Sequence, residues 1–412
     1  MMQVSSATLD NGLRIFHHHD PSTAMVVVNL LYNVGARDES PQSTGIAHLF
    51  EHLMFGGSKH VSSYDQAIEG AGGVNNAWTS NDFTLFYDIL PAHNAETAFW
   101  AESDRMAWLN LSPHSLEVQR QVVIEEFKQQ CLNRPYGDMS HHLRRMAYTT
   151  HPYRWPVIGI TPQHIADFTL EQAQQFYRGH YLPNNASLIV AGNITFERTL
   201  ELAKRWFGDI PPGKITPRLY SPEPRQTAPR ETTVTARVPH TMLLMAYPMG
   251  PFDTKQYIAA DTITDLLSAG RSARLTRQLL NGTDLFTAID ASITGSDEPG
   301  MLLISARLRE NTPGNIEHAR SIIADTLENL VTDGVTDTEL ERTINRSTST
   351  FTFSNVDLLT RAQNIATYHT RGIDINSVIP AYRAITPDQI SDAAASILRP
   401  EALSTLIYGP EA

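Results

Sequence analysis

Cysteine is almost absent: Cys131 is the one thiol in 412 residues. That excludes an internal disulfide framework and any CxxC zinc ribbon, so a bound metal would need histidines and carboxylates. Positive charge is scarce too, with 32 Lys and Arg against 44 Asp and Glu, a formal net charge of −12. Nucleic-acid and anionic-membrane surfaces need a basic patch, and this balance argues against both. Charged residues make up only 18% of the chain while 41% are hydrophobic, a mix that folds rather than staying disordered. No apolar run approaches the roughly 20 residues of a membrane-spanning helix; Met25–Leu31 is of strand length. The opening MMQVSSATLDNGLRIF lacks the basic start and apolar stretch of a secretory signal. The expected compartment is therefore a bacterial cytoplasm, or the periplasm if a leader has been removed.

At roughly 150 residues per domain, the length allows two or three domains. An internal repeat narrows this. FTLEQAQQFYRGHYLPNNASLIVAGN (168–193) and ITPDQISDAAASILRPEALSTLIYGP (385–410) share Thr, Gln, Pro and Gly at offsets of 0, 3, 14 and 23 from Thr169 and Thr386. Each reads as a Thr-capped helix, a proline turn and an apolar strand ending at glycine. The starts of the halves agree more loosely, MVVVNLLYNVG (25–35) with HTMLLMAYPMG (240–250). Between the halves, prolines 211, 212, 217, 222, 224 and 229 exclude a helix or central strand. The organisation expected is a first domain over 1–210, a proline-rich linker over 211–230 and a homologous second domain over 231–412. Apolar strands alternate with helical stretches such as 94–109 and 315–330, which is an α+β pattern with helices covering the sheets.

Of the 16 histidines, His17-His18-His19, His141-His142 and His151 are read as structural or surface residues. His48-Leu49-Phe50-Glu51-His52 differs. It lies in a proline-free helical pattern over 45–55 that Gly56-Gly57 stops. Residues four apart share a helix face, so His48 and His52 can converge on one ion with Glu51 beside them. HxxEH is the inverzincin order. Two imidazoles leave zinc short of a third protein ligand, and a carboxylate from the helical stretch 116–130 is the natural source. Glu126 borders the apolar face of Leu116, Val123 and Phe127, whereas Glu125 turns to its flank, which favours Glu126.

HLFEH, the distal VVIEEF (122–127) and the duplicated halves resemble the pitrilysin family of inverzincin zinc peptidases, which includes insulin-degrading enzyme and the mitochondrial processing peptidase. GARDE (35–39), FGGS (55–58), GGVNNAWTS (72–80), HPY (151–153) and YLPNN (181–185) fit the same pattern, so the resemblance covers the whole chain. It implies two homologous halves, each a mainly antiparallel sheet covered by helices, the second without the zinc motif. It implies one Zn²⁺ per chain on His48, His52 and Glu126, with Glu51 as general base in peptide-bond hydrolysis. Substrate would add as an extra strand to an edge strand over 77–88, with Asn76, Ala77 and Trp78 at the binding edge.

Two positions depart from the family pattern. The glutamate usually found seven residues before Glu126 is Gln119 here, which removes a supporting charge. An Arg and Tyr pair of the second half, which holds the peptide and its tetrahedral intermediate, aligns with Leu280 and Thr287. The family's long members enclose a chamber with twice this length of chain. The expected function is thus a zinc endopeptidase acting on peptides or unfolded segments in a chamber formed by two chains. A homodimer and a heterodimer with a related chain are both open. Two alternatives remain: a zinc-bearing subunit active only beside a partner that supplies the Arg and Tyr, and a non-catalytic structural subunit. The peptide substrate is not legible.

Overall fold

A computed structural model describes residues 2–252 and 254–411. Two sheets organise it. The first contains β1 (Ser5–Thr8), β2 (Arg14–His19), β3 (Met25–Tyr32), β4 (Val74–Thr79), β5 (Thr84–Pro91) and β6 (Ala186–Gly192), in the order β1-β2-β6-β3-β5-β4. The second contains β7 (Arg230–Ala236), β8 (Met242–Met249), β9 (Phe286–Ile293), β10 (Gly300–Leu308) and β11 (Ser404–Pro410), in the order β7-β11-β8-β10-β9. With β1 set aside, the orders correspond strand for strand. Each has one parallel pair, β2 with β6 and β7 with β11, and antiparallel pairs elsewhere. This is the α+β architecture of two homologous, mainly antiparallel halves.

The repeat read from sequence has a structural meaning at each matched residue. Thr169 and Thr386 both cap helices, Leu170–His180 and Pro387–Ile397, in reciprocal capping boxes with Gln172 and Gln389. Pro183 and Pro400 each open a single 3₁₀ turn, and β6 and β11 follow. Residues 211–229 carry no helix or strand.

Contacts divide the chain into two compact units. The first comprises Met1–Gln129, Trp155–Tyr220 and Phe353–Asn376, and the second Gln130–Arg154, Ser221–Thr352 and Ser377–Ala412. In the first unit, α1 (Ile46–Leu53), α2 (Tyr64–Gly70), α3 (Ala95–Trp108) and α4 (Pro113–Phe127) follow β3 and flank the β4–β5 hairpin. Val26, Val28, Leu30 and Tyr32 of β3 point into the core shared with α1 and α3. Val27, Asn29 and Leu31 point to the opposite face, over which the helix Leu358–His369 lies. In the second unit α5 (Met139–Ala147) packs on β7, β8 and β11.

The stretch 77–88, expected as one edge strand, is a hairpin instead. β4 ends at Thr79 and β5 begins at Thr84. The Ser80 hydroxyl accepts the Asp82 and Phe83 N–H groups and turns the chain, as Ser-Asn-Asp segments do. β4, paired on one side only with β5, is the edge.

A buried charge cluster ties these elements together. The Arg105 guanidinium on α3 donates twice to Glu102, at 2.8 and 2.5 Å, and lies over the rings of Tyr64, Phe86 and Phe55 at 3.9, 4.3 and 5.4 Å. The Tyr64 hydroxyl donates to Asp88 of β5 at 2.9 Å. Burial, reinforced by the Glu102 charge, drives the Asp88 carboxyl far above its usual range. Arg105 therefore compensates the Glu102 carboxylate, which has no solvent. Arg105→Met is expected to cost about 3–5 kcal/mol by leaving Glu102 buried and unpaired, and Arg105→Met/Glu102→Met to recover much of that loss. Urea unfolding of both variants checks this; a single-variant cost below about 1 kcal/mol would refute it.

Candidate metal centre

α1 carries His48, Glu51 and His52 within two turns. Its N-cap is Gly45, at φ +84°, where an added Cβ would lie 2.8 Å from the Ile158 carbonyl oxygen. Glycine cannot cap with a side chain. Glu39 supplies the acceptors instead, taking the Gly45 and Ala47 N–H groups at 3.0 and 2.8 Å. At the other end, Gly57 at φ +90° turns the chain where a Cβ would meet the Ser62 carbonyl oxygen at 2.8 Å. Ile46, Leu49, Phe50 and Leu53 are buried in the core, which leaves the opposite flank of α1 facing α4. On α4, Leu116, Val123 and Phe127 are the buried positions, and Glu126 stands beside them.

This packing brings the expected donors together. The two imidazoles lie edge to face with centroids 4.9 Å apart. Nε2 of His52 is 3.3 Å and Nε2 of His48 is 3.6 Å from the Glu126 carboxylate. One donor atom from each of His48, His52 and Glu126 fits within 4.8 Å of the others, and no other such group occurs among the described residues. Glu125, the competing choice, pairs with Lys128 at 2.6 Å on the exposed side.

The electrostatics suit metal ligation. Burial, with the nearby His52 charge, brings the His48 imidazole down to about 4 against the pull of Glu126, so its nitrogen lone pair stays available. Glu126 is held below its usual range by its hydrogen bond to His52. Burial pushes Glu51 above the ordinary glutamate value, opposed by the Thr79 hydroxyl, which donates to its Oε2 at 2.6 Å.

The lowered His48 value makes acid unfavourable to the metal-free site, while the raised Glu51 and Glu39 carboxyls, the latter pushed up to about 8 by burial, act in the opposite sense. An unfolded histidine takes up its proton near 6.5, whereas folded His48 resists until about 4. Between those values the unfolded chain binds more protons at this position, and the His48 contribution to stability falls as pH falls. The Glu126 contribution, present above the carboxylate range, is lost in the same direction at the acid end. Buried His17 and His180, also lowered, add to it. From pH 7.5 to pH 5 the melting temperature of the chelator-treated chain is expected to fall relative to that of His48→Gln. Parallel profiles in the two proteins would contradict this.

The remaining expected residues are spread around the centre. Along β4, Asn75, Ala77 and Thr79 face α1, and Val74, Asn76 and Trp78 are exposed on the other face. The side chains of Asn76 and Trp78 thus do not join the three donors. Asn76 Oδ1 accepts the Ala77 N–H at 2.8 Å, and Trp78 packs edge-on against Phe83 at 4.8 Å. Gln119 lies half-buried on α4, two turns before Glu126. In the second unit, Leu280 packs against the apolar core, and Thr287 on β9 accepts from Arg307 Nε at 2.7 Å.

Three supporting contacts escaped the sequence reading. Thr79 orients Glu51, and Glu39 caps α1. Arg37 and Asp82 form a buried ion pair at 3.0 Å that fastens the turn before α1 to the β4–β5 turn. Glu39 and Arg37 both lie in GARDE, so their position was marked and their partners were not.

Comparison with known proteins shows the family and the fold. Residues 14–159 match the family model "Insulinase (Peptidase family M16)" and residues 167–347 match "Peptidase M16 inactive domain". The chain is 30% identical over 344 residues to the zinc protease PqqE of Helicobacter pylori, covering 82% of this chain and 77% of that one. It is 28% identical to the probable mitochondrial-processing peptidase subunit beta of Schizosaccharomyces pombe, over 55% of this chain and 50% of that one. The crystal structure of a protease from Helicobacter pylori superposes with a TM-score of 0.94 at 25% identity, each chain fully covered. The periplasmic protease PqqL from Escherichia coli matches with a TM-score of 0.81 at 19% identity, over 99% of this chain but 48% of its own. The chain belongs to the M16 peptidase family, the insulinase and pitrilysin group. Its relatives include proteins named as zinc proteases.

Proposed function

We propose that this chain is a zinc-dependent endopeptidase for peptides or unfolded segments, with one Zn²⁺ held by His48, His52 and Glu126 and with Glu51 as general base. The observation that carries the reading is the convergence of those three donors beside the half-buried carboxylate of Glu51. The donor set fits the ion: two imidazole nitrogens and one carboxylate oxygen leave a tetrahedral fourth position open. Zinc would supply Lewis acidity to a water and to the carbonyl under attack.

The chain's own residues supply the rest. His48 stays neutral because it is buried, and Glu126 keeps its charge. Glu51 accepts a proton at its carboxylate and returns it to the leaving amine, its basicity moved towards neutral pH by burial and its orientation held by Thr79. The unpaired edge of β4 would take an extended peptide as a further strand, backbone to backbone. On that geometry Asn76, Ala77 and Trp78 contribute main-chain groups, and the exposed Trp78 ring adds a side-chain contact.

A partner-dependent form of the same activity is favoured by Leu280 and Thr287, which offer neither a guanidinium nor a phenol. The 48% coverage of PqqL supports pairing of this chain, with a copy of itself or a related chain, into a two-chain chamber. The test combines elemental analysis for zinc with peptide cleavage, with and without chelator and with and without a related chain. Activity that chelation abolishes and zinc restores supports the reading. A partner requirement selects its second form, and a chain that binds no zinc overturns both.

A further inference from the structure

A cavity of about 590 Å³ opens in the first unit beside α3, the end of the helix Leu170–His180 and the end of the helix Phe196–Phe207. That is within the range of roughly 300–1,000 Å³ for small-molecule sites. No metal-centre residue and no residue of β4 lines it. Its walls are aromatic, with Trp100, Trp108, Tyr177 and Trp206 among them. The Tyr177 hydroxyl is spent on backbone groups, accepting from the Leu109 N–H at 3.3 Å and donating to the Met106 carbonyl at 2.6 Å.

The polar groups divide by charge. Asp104 is buried and both its oxygens are committed. Oδ2 accepts from the Ser58 hydroxyl and the His60 N–H at 2.5 and 2.9 Å, and Oδ1 pairs with His60 Nδ1 at 2.6 Å. Arg178 and Arg205 also line the cavity. Arg205 leans on the Trp206 ring at 5.4 Å and shares Glu96 at 3.0 Å, and Lys59 lies over the Trp108 ring at 5.3 Å. The lining carboxylate left over is the exposed Asp209. An organic cation, the usual guest of an aromatic cage, would meet the Arg178 and Arg205 guanidinium groups here. An apolar body suits the ring faces, and a carboxylate suits the guanidinium groups.

We propose that this cavity is a binding site for a small apolar carboxylate, its body among the tryptophan and tyrosine rings and its carboxylate on Arg178 and Arg205. The C-terminal residue of a peptide and a free arylalkanoic acid present the same chemistry. The site stands independently of the peptidase reading.

Calorimetric titration of the full chain, stripped of metal so that no carboxylate reports on zinc, tests it. N-acetyl-L-phenylalanine is expected to bind saturably, and its uncharged amide at least about tenfold more weakly. Arg178→Gln/Arg205→Gln, both at exposed positions, is expected to weaken the acid by at least about tenfold, and Ala107→Trp, which fills the cavity, to abolish binding. 3-Phenylpropionate binding as tightly as N-acetyl-L-phenylalanine supports a free acid as the natural ligand; a preference for the latter supports a peptide terminus. No saturation by about 10 mM, equal binding of acid and amide, or undiminished affinity in the double-arginine variant overturns the proposal.

Discussion

Glu51→Gln is expected to bind zinc like the parent chain and to lose peptide hydrolysis by about 10²–10⁴-fold, the usual contribution of a positioned acid–base group. The substitution is nearly isosteric, and an amide oxygen still accepts the Thr79 hydroxyl, so α1 and its hydrogen bond to β4 persist. What disappears is the proton acceptor. The Glu51 carboxyl gives a second signature. Hydrolysis should fall as pH drops through its titration, because the protonated carboxyl cannot act as a base. Elemental analysis, a melting curve and cleavage of an unstructured peptide give the three readouts. Undiminished turnover in zinc-loaded Glu51→Gln protein would refute the role.

Glu126→Ala is expected to retain the fold and lose zinc. The carboxylate stands at the edge of the buried face of α4 rather than within it, so its removal disturbs little packing. Two imidazoles remain, one short of the usual protein ligand count. Removing an outer partner of a ligand typically costs 10–100-fold in metal affinity, and loss of a ligand itself should exceed about 100-fold. Glu125→Ala, which disturbs only the surface pair with Lys128, should leave zinc content unchanged. Competition with a chelator of known affinity measures both. Equal zinc retention in the two variants would reject Glu126 as the third ligand.

These two outcomes bear on how much of the centre was legible beforehand. HxxEH places two imidazoles and a carboxylate on one helix through its spacing alone, and α1 forms because Gly45 and Gly56-Gly57 bound a proline-free stretch with buried Ile46, Leu49, Phe50 and Leu53. Glu126 was legible because the apolar periodicity of α4 marks which flank is buried. The 77–88 hairpin was not, because Thr79 and Thr84 look alike in sequence and the intervening Ser80 turns the chain through its own side-chain hydrogen bonds. Pattern finds faces of single elements, whereas turns built by side chains depend on local partners.

The sequence by itself determined the family, the duplicated α+β halves and the residue types from which a donor set could be drawn. Local periodicity, capping residues and the near-absence of cysteine suffice for those, since each is set within one element or by composition. Tertiary structure decided what lies between elements. It placed His48 and His52 within reach of a carboxylate some seventy residues away in the chain, set Thr79 against Glu51 and gave α1 a cap from Glu39. It also laid the helix Leu358–His369, from the far end of the chain, over the first sheet. Such long-range pairings follow from which buried faces find each other once the core closes, and no stretch of sequence states them alone.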